Sequence, residues 1–171
     1  MLGLPEYTLL ILCAIAAFTD WRAGVIPNWL TLPPLAIAPI YFMISGGIWD
    51  LVRSLLGIVI CVLVPLFLFW RRAIGGGDVK LFATIGALSG YMVGLEVQLL
   101  ACALAGFYAL VLLCWQGKLL RTLKNILCIA SNIVLPKSKR IVVNPEFMTS
   151  IRLGVAIFFA ASIRLGIQAV I

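Results

Sequence analysis

The chain of 171 residues is 64% hydrophobic and 11% charged, with mean hydropathy +1.18 and a formal net charge of +7. A chain so poor in polar residues is not a water-soluble domain, because its main solvent is lipid. The positive charge does not signal nucleic acid either: the basic residues flank apolar runs and form no stripe interleaved with aromatics on a soluble core. Histidine is absent, and Cys13, Cys61, Cys102, Cys114 and Cys128 stand singly with no CxxC pair. They read as packing residues, so no metal, disulfide framework or cofactor is expected.

The apolar runs approach the roughly 20 residues that about 30 Å of hydrocarbon demands of a helix. The first expected span is Leu2 to Phe18, and with no basic n-region or small-residue cleavage site before Asp20 it is expected to stay in the mature protein. Leu30 to Ile44 follows, broken by Pro33, Pro34 and Pro39, and Gly46-Gly47 turns the chain into Leu51 to Trp70, with a kink expected at Pro65. A fourth helix is predicted from Asp78 to about Ser89, with a tight turn at Gly90. Asp78 to Tyr91 covers only about 21 Å, less than the hydrocarbon thickness, so Asp78 is expected below the membrane surface in a protein-lined cavity. Val93 to Trp115 and Ile151 to Ile171 complete the set. Between them, Lys118, Arg121 and Lys124 are spaced three apart opposite Leu119, Leu120, Leu123, Ile126 and Leu127. This part of residues 116–150 reads as an interfacial amphipathic helix, a lipid-surface anchor or a part that holds substrate. The expectation is an all-α polytopic membrane protein, one domain over 1–171, with six transmembrane helices and an interfacial helix between helices 5 and 6.

Orientation follows from lysine and arginine. One side collects Arg22, Arg71, Arg72, Lys80, Lys118, Arg121, Lys124, Lys137, Lys139, Arg140 and Arg152; the other has Arg53 and Arg164. The first side is expected to be cytoplasmic, with both chain ends outside. Asp20 and Asp78 then share the cytoplasmic face, because two intervening helices return the chain to where it began.

Six acidic residues exist, and Glu6, Asp50, Glu96 and Glu146 sit at outer ends or in the long loop. Asp20 and Asp78 lie at loop-to-span junctions, where a carboxylate is costly unless it is paired, wetted or functional. Asp20 lies in the motif Phe18-Thr19-Asp20-Trp21-Arg22-Ala23-Gly24-Val25-Ile26-Pro27-Asn28-Trp29-Leu30-Thr31. There Pro27 holds Ile26 extended and Asn28 is expected to cap the next helix. Asp78 lies in Gly75-Gly76-Gly77-Asp78-Val79-Lys80-Leu81, where glycines permit close backbone approach. A phosphate loop is excluded because GxxxxGK[ST] is missing and an acidic residue would repel phosphate. Taken singly, the first motif also reads as a topogenic loop and the second as a helix-packing loop. Taken together they point to acid/base catalysis by a carboxylate pair sharing a proton. Arg22 and Lys80 are expected to hold or balance the carboxylates.

These residues resemble the type IV prepilin leader peptidases, of the short Flp/Tad and Caulobacter-like kind. The family carries an aspartate shortly before Ile-Pro-Asn-x-Leu, matched by Asp20 and Ile26-Pro27-Asn28-Trp29-Leu30. Its second aspartate lies in Gly-x-Gly-Asp-x-Lys-Leu, matched by Gly75, Gly77, Asp78, Lys80 and Leu81. The resemblance implies an aspartic endopeptidase that removes prepilin leader peptides at the cytoplasmic face of the bacterial inner membrane. It implies Asp20 and Asp78 as catalytic, with Arg22, Asn28, Gly75, Gly77 and Lys80 in support. The implied partners are a prepilin with an apolar N-terminal helix, membrane lipids and pilus-assembly proteins. Longer family members add a cysteine-paired cytoplasmic domain and methylate the new amino terminus, whereas this chain lacks that insertion, so no methyltransferase activity is implied. Family members often open the last helix with a Pro-Tyr-Gly-like segment; Ile151-Arg152-Leu153-Gly154 keeps the glycine without the proline or the ring. Two other classes compete. A non-catalytic assembly subunit of a pilus or secretion machine gives no reason for the aspartates, and a transporter would place its ionisable groups at mid-depth.

Overall fold

The computed structural model describes residues 3–71, 73–115 and 153–170. Helix α1 spans Leu4–Ala23, α2 Asn28–Gly46, α3 Ile48–Trp70, α4 Gly76–Trp115 and α5 Leu153–Val170. The chain divides into a unit of residues 1–104 with 152–171 and a unit of residues 105–151. Of the second unit, residues 105–115 are described and are helical.

In the first unit α1 lies along α5, and α2 lies along α3. Leu9, Leu12, Cys13 and Ala16 of α1, Leu81, Phe82 and Ile85 of α4, and Ile157, Ala160 and Ala161 of α5 form one buried cluster. The opposite faces are also apolar: Ile11, Ile37, Ile40, Val59, Leu63 and Phe67 are all exposed. Apolar residues inside and outside together are the mark of helices solvated by lipid.

Helix α1 continues past Asp20 for one more turn and stops at Gly24, whose φ of 67° is left-handed and whose N–H donates to the Asp20 carbonyl at 2.9 Å. An αL glycine ends a helix cheaply because it has no Cβ. Helix α2 holds Pro33, Pro34 and Pro39 within it. Each proline lacks the N–H that would bond four residues back, so the carbonyls of Trp29, Leu30 and Leu35 lose their helical donors.

Helix α4 is 40 residues long, with non-helical φ 77° and ψ 172° at Gly90. A Cβ placed on Gly94 would lie 3.2 Å from the Gly86 Cα, whereas residues eight apart in a straight helix are separated by about 12 Å. The chain therefore doubles back at Gly90. Helix α3 meets this bend with backbone against backbone: a Cβ on Gly57 would overlap the Gly86 carbonyl, and one on Gly86 the Gly57 carbonyl. Ser54 Oγ donates across the same contact to the Ala87 carbonyl at 2.8 Å.

A ≈330 Å³ cavity at this end is lined by residues that include Gly3, Glu6, Asp50, Arg53, Ser89, Gly90 and Gln168. The start of α1, the start of α3, the bend of α4 and the end of α5 therefore share one level. The end of α1 and the starts of α4 and α5 lie at the other.

The expectation of six transmembrane helices is overturned. The described residues form five helices, of which four, α1 to α4, are long and apolar enough to cross a membrane. The expected fourth and fifth spans fall within one continuous element, Gly76–Trp115, because the chain turns back at Gly90 with no connecting loop. The last apolar helix, Leu153–Ala169, falls below the length of a candidate span. The expected amphipathic helix lies in residues 116–150, outside the described residues. Boundaries also move: α2 begins at Asn28 and α4 at Gly76, each two residues earlier than the apolar pattern alone indicates.

Candidate active site

Asp20 occupies the last turn of α1 and is 7% exposed. Its Oδ2 accepts a hydrogen bond of 2.9 Å from the backbone N–H of Gly154, in the first turn of α5. Asp78 lies half-buried in the first turn of α4. Its Oδ2 accepts from the N–H of Gly75 at 3.1 Å, so the side chain closes the start of its own helix. The two carboxylates lie at the same end of the bundle, at the end of α1 and the start of α4. Exposed Trp21, Trp29 and Trp70 stand at the same end, where indole rings favour the interface between lipid and water.

The supporting residues divide. Gly77 packs against Ile26, with room for no Cβ farther than 3.0 Å from the Ile26 Cβ, and this contact ties the Ile-Pro-Asn loop to the start of α4. Asn28 does not cap α2. Pro27 is the capping residue and Asn28 the first helical one, so its Oδ1 is free to accept from Lys80 Nζ at 2.8 Å. One turn deeper, the buried Thr84 hydroxyl lies 3.1 Å from the Thr31 carbonyl and 2.8 Å from the Lys80 carbonyl. These contacts clamp α2 to α4 below the two aspartates. Arg22 is exposed and turns its guanidinium over the Phe18 ring, 5.8 Å from the centroid. The Lys80–Asn28 bond joins α4 to α2.

The sequence gives no chemical signal for Gly154, which touches Asp20 through its backbone. Only its place in the last-helix segment marks it. Among the described residues, no cluster of three or more His, Cys, Asp or Glu side chains is arranged to hold a metal ion.

Residues 7–110, which contain both aspartates and the loops that follow or precede them, match the model of the type IV leader peptidase family. The chain belongs to that family. Membership makes this leader peptidase a membrane-embedded protease with an aspartic endopeptidase activity directed at prepilins. No curated protein and no solved structure matches the chain.

Proposed function

We propose that Asp20 and Asp78 are the catalytic pair, acting on one water molecule to remove the leader of a Flp/Tad-type prepilin at the cytoplasmic face of the inner membrane. The observation that carries this reading is the arrival of two carboxylates, held by backbone N–H groups of two different helix starts, at one end of the bundle. The ionised member takes a proton from water as its oxygen attacks the scissile carbonyl carbon, and the protonated member donates to the carbonyl oxygen. Collapse of the tetrahedral species breaks the C–N bond, with a proton passed to the leaving amine. The pair titrates as a unit, and no covalent intermediate is needed.

The substrate's apolar helix has a place to lie. A ≈520 Å³ groove runs between α1 and α2, lined by Leu4, Ile11, Ile15, Leu30, Pro33 and Ile37 among others, and its wall reaches toward the Asp20 end. Arg22, Arg71 and Lys80 at that end, against Glu6, Asp50 and Arg53 at the other, support the cytoplasmic assignment. A cysteine introduced at Ala73 should resist an impermeant reagent in sealed cells; ready labelling from outside reverses the orientation. The activity itself is tested by leader removal in membranes holding equal amounts of each enzyme. Asp20→Asn and Asp78→Asn should each lose about 10²- to 10⁴-fold in rate, and near-normal cleavage by either variant refutes the pair.

A further inference from the structure

We infer that Gly154 is a positioning residue of the active site: its backbone N–H orients the Asp20 carboxylate, and its missing side chain leaves the space that the carboxylate occupies. The inference rests on Asp20 and Asp78 being the catalytic pair. It adds a third helix, α5, to a centre otherwise made from the end of α1 and the start of α4.

Three observations converge. First, Gly154 is the second residue of α5, and the N–H groups of a helix's first turn have no acceptor within the helix. Here that donor is used on Asp20 Oδ2 at 2.9 Å, in a buried position. Asp20 needs a donor from elsewhere, because it stands in the last turn of α1, where the helix dipole disfavours negative charge. The start of α5 supplies the favourable end of a second dipole. Asp78 has no such need, since it already stands in the first turn of its own helix.

Second, a Cβ on residue 154 would lie 2.8 Å from both the Cβ and the Oδ2 of Asp20 and 3.1 Å from its Cγ. The Asp20 Cβ is fixed to the backbone of α1, so a methyl group there moves a helix or rotates the carboxylate away. Gly166, in the same helix, meets nothing within 4 Å. Third, the positive-φ glycines of the described chain are Gly24, Gly47 and Gly90, so the backbone at 154 does not itself demand glycine. The demand for glycine at this position comes from Asp20.

The consequence is catalytic geometry more than stability. A displacement of about 1 Å in a reacting group costs on the order of 10²-fold in rate. Gly154→Ala should therefore lower kcat by roughly 10²-fold while KM for the prepilin stays within about 3-fold. Gly166→Ala should leave both near wild type. Cleavage by Gly154→Ala within about 3-fold of wild type overturns the inference.

A second measurement stands apart from how well that variant folds. Amide hydrogen exchange at Gly154 should be roughly tenfold faster in Asp20→Ala than in wild type, with Ile157 and Ala161 unchanged. In Asp20→Asn, whose amide oxygen still accepts, the protection should persist although activity is lost. Unchanged exchange in Asp20→Ala overturns the inference even if Gly154→Ala is inactive. An active Asp20→Asn or Asp78→Asn, by contrast, refutes the catalytic pair and with it any catalytic role for Gly154, whatever the exchange data say of the hydrogen bond.

Discussion

Glycine does different work at the two ends of this leader peptidase. At the Asp20 end, Gly154 and Gly75 offer N–H groups to carboxylates. At the Gly90 end, Gly57 and Gly86 press backbone to backbone, and the only side-chain hydrogen bond described across that contact is from Ser54 to the Ala87 carbonyl. One end arranges polar groups around the two carboxylates proposed as the catalytic pair. The other closes helices in lipid, where association relies on close van der Waals packing of small residues because lipid tails are as apolar as leucine. Substitutions at the first end should cost activity with the fold retained, and at the second should cost stability with the chemistry retained.

The largest effect expected belongs to the double variant Asp20→Asn/Asp78→Asn. If the carboxylates serve one step, its rate of leader removal should be little below that of either single variant, since losses within a catalytic unit do not add. A further loss approaching the product of the two single losses would show two separate steps and break the contrast at its polar end.

Next in size is Gly86→Ala at the seam. The new methyl overlaps the Gly57 carbonyl and comes within 2.9 Å of the Cys61 Cβ. Overpacking of this kind costs about 1–3 kcal/mol, seen as a lower denaturation midpoint in detergent. The kcat of the folded fraction should hold, and a kcat that fell while stability held would reverse the assignment of the two ends.

Smaller changes sharpen the comparison. Ser54→Ala removes the bond to Ala87 and should cost about 0.5–1.5 kcal/mol of stability. Glu96→Gln breaks the ion pair with Arg164, whose side chains are 52% and 26% exposed, and should cost at most about 1 kcal/mol. Thermal unfolding of both variants beside wild type measures the difference, and an equal or larger loss in Glu96→Gln would show that the exposed pair sits in a drier setting than its exposure indicates.

The two carboxylates of the candidate site were legible because they are side chains. Asp20 and Asp78 stand out as carboxylates at span boundaries, and alternation of apolar runs with turns puts them at one end. The sequence was less informative wherever the backbone acts. Gly154 contributes an N–H that every non-proline residue possesses, so nothing in its letter announces a bond to Asp20. Asn28 looked like a cap because its type favours caps, but Pro27 takes that position and Lys80 reaches the amide from another helix. The count of spans differs because the helical segments before and after Gly90 join with no connecting loop: that residue, at φ 77° and ψ 172°, reverses the chain within one continuous element. The end of α1 ran past Asp20 for a related reason: polar letters suggested water, but the helix persists until Gly24 can take a left-handed φ.

The three prolines of α2 give the enzyme a compliant wall. A helix resists bending through its ladder of hydrogen bonds, and α2 lacks three rungs, two of them beside Pro33 and Pro34 where they line the apolar groove. The opposite wall, α1, has no proline beyond its first turn and is braced by α5. The width of the groove is then set by a stiff helix on one side and a soft one on the other. Lateral pressure from the surrounding lipid acts on it directly, so the groove proposed for the substrate helix is coupled to the thickness and tension of the membrane.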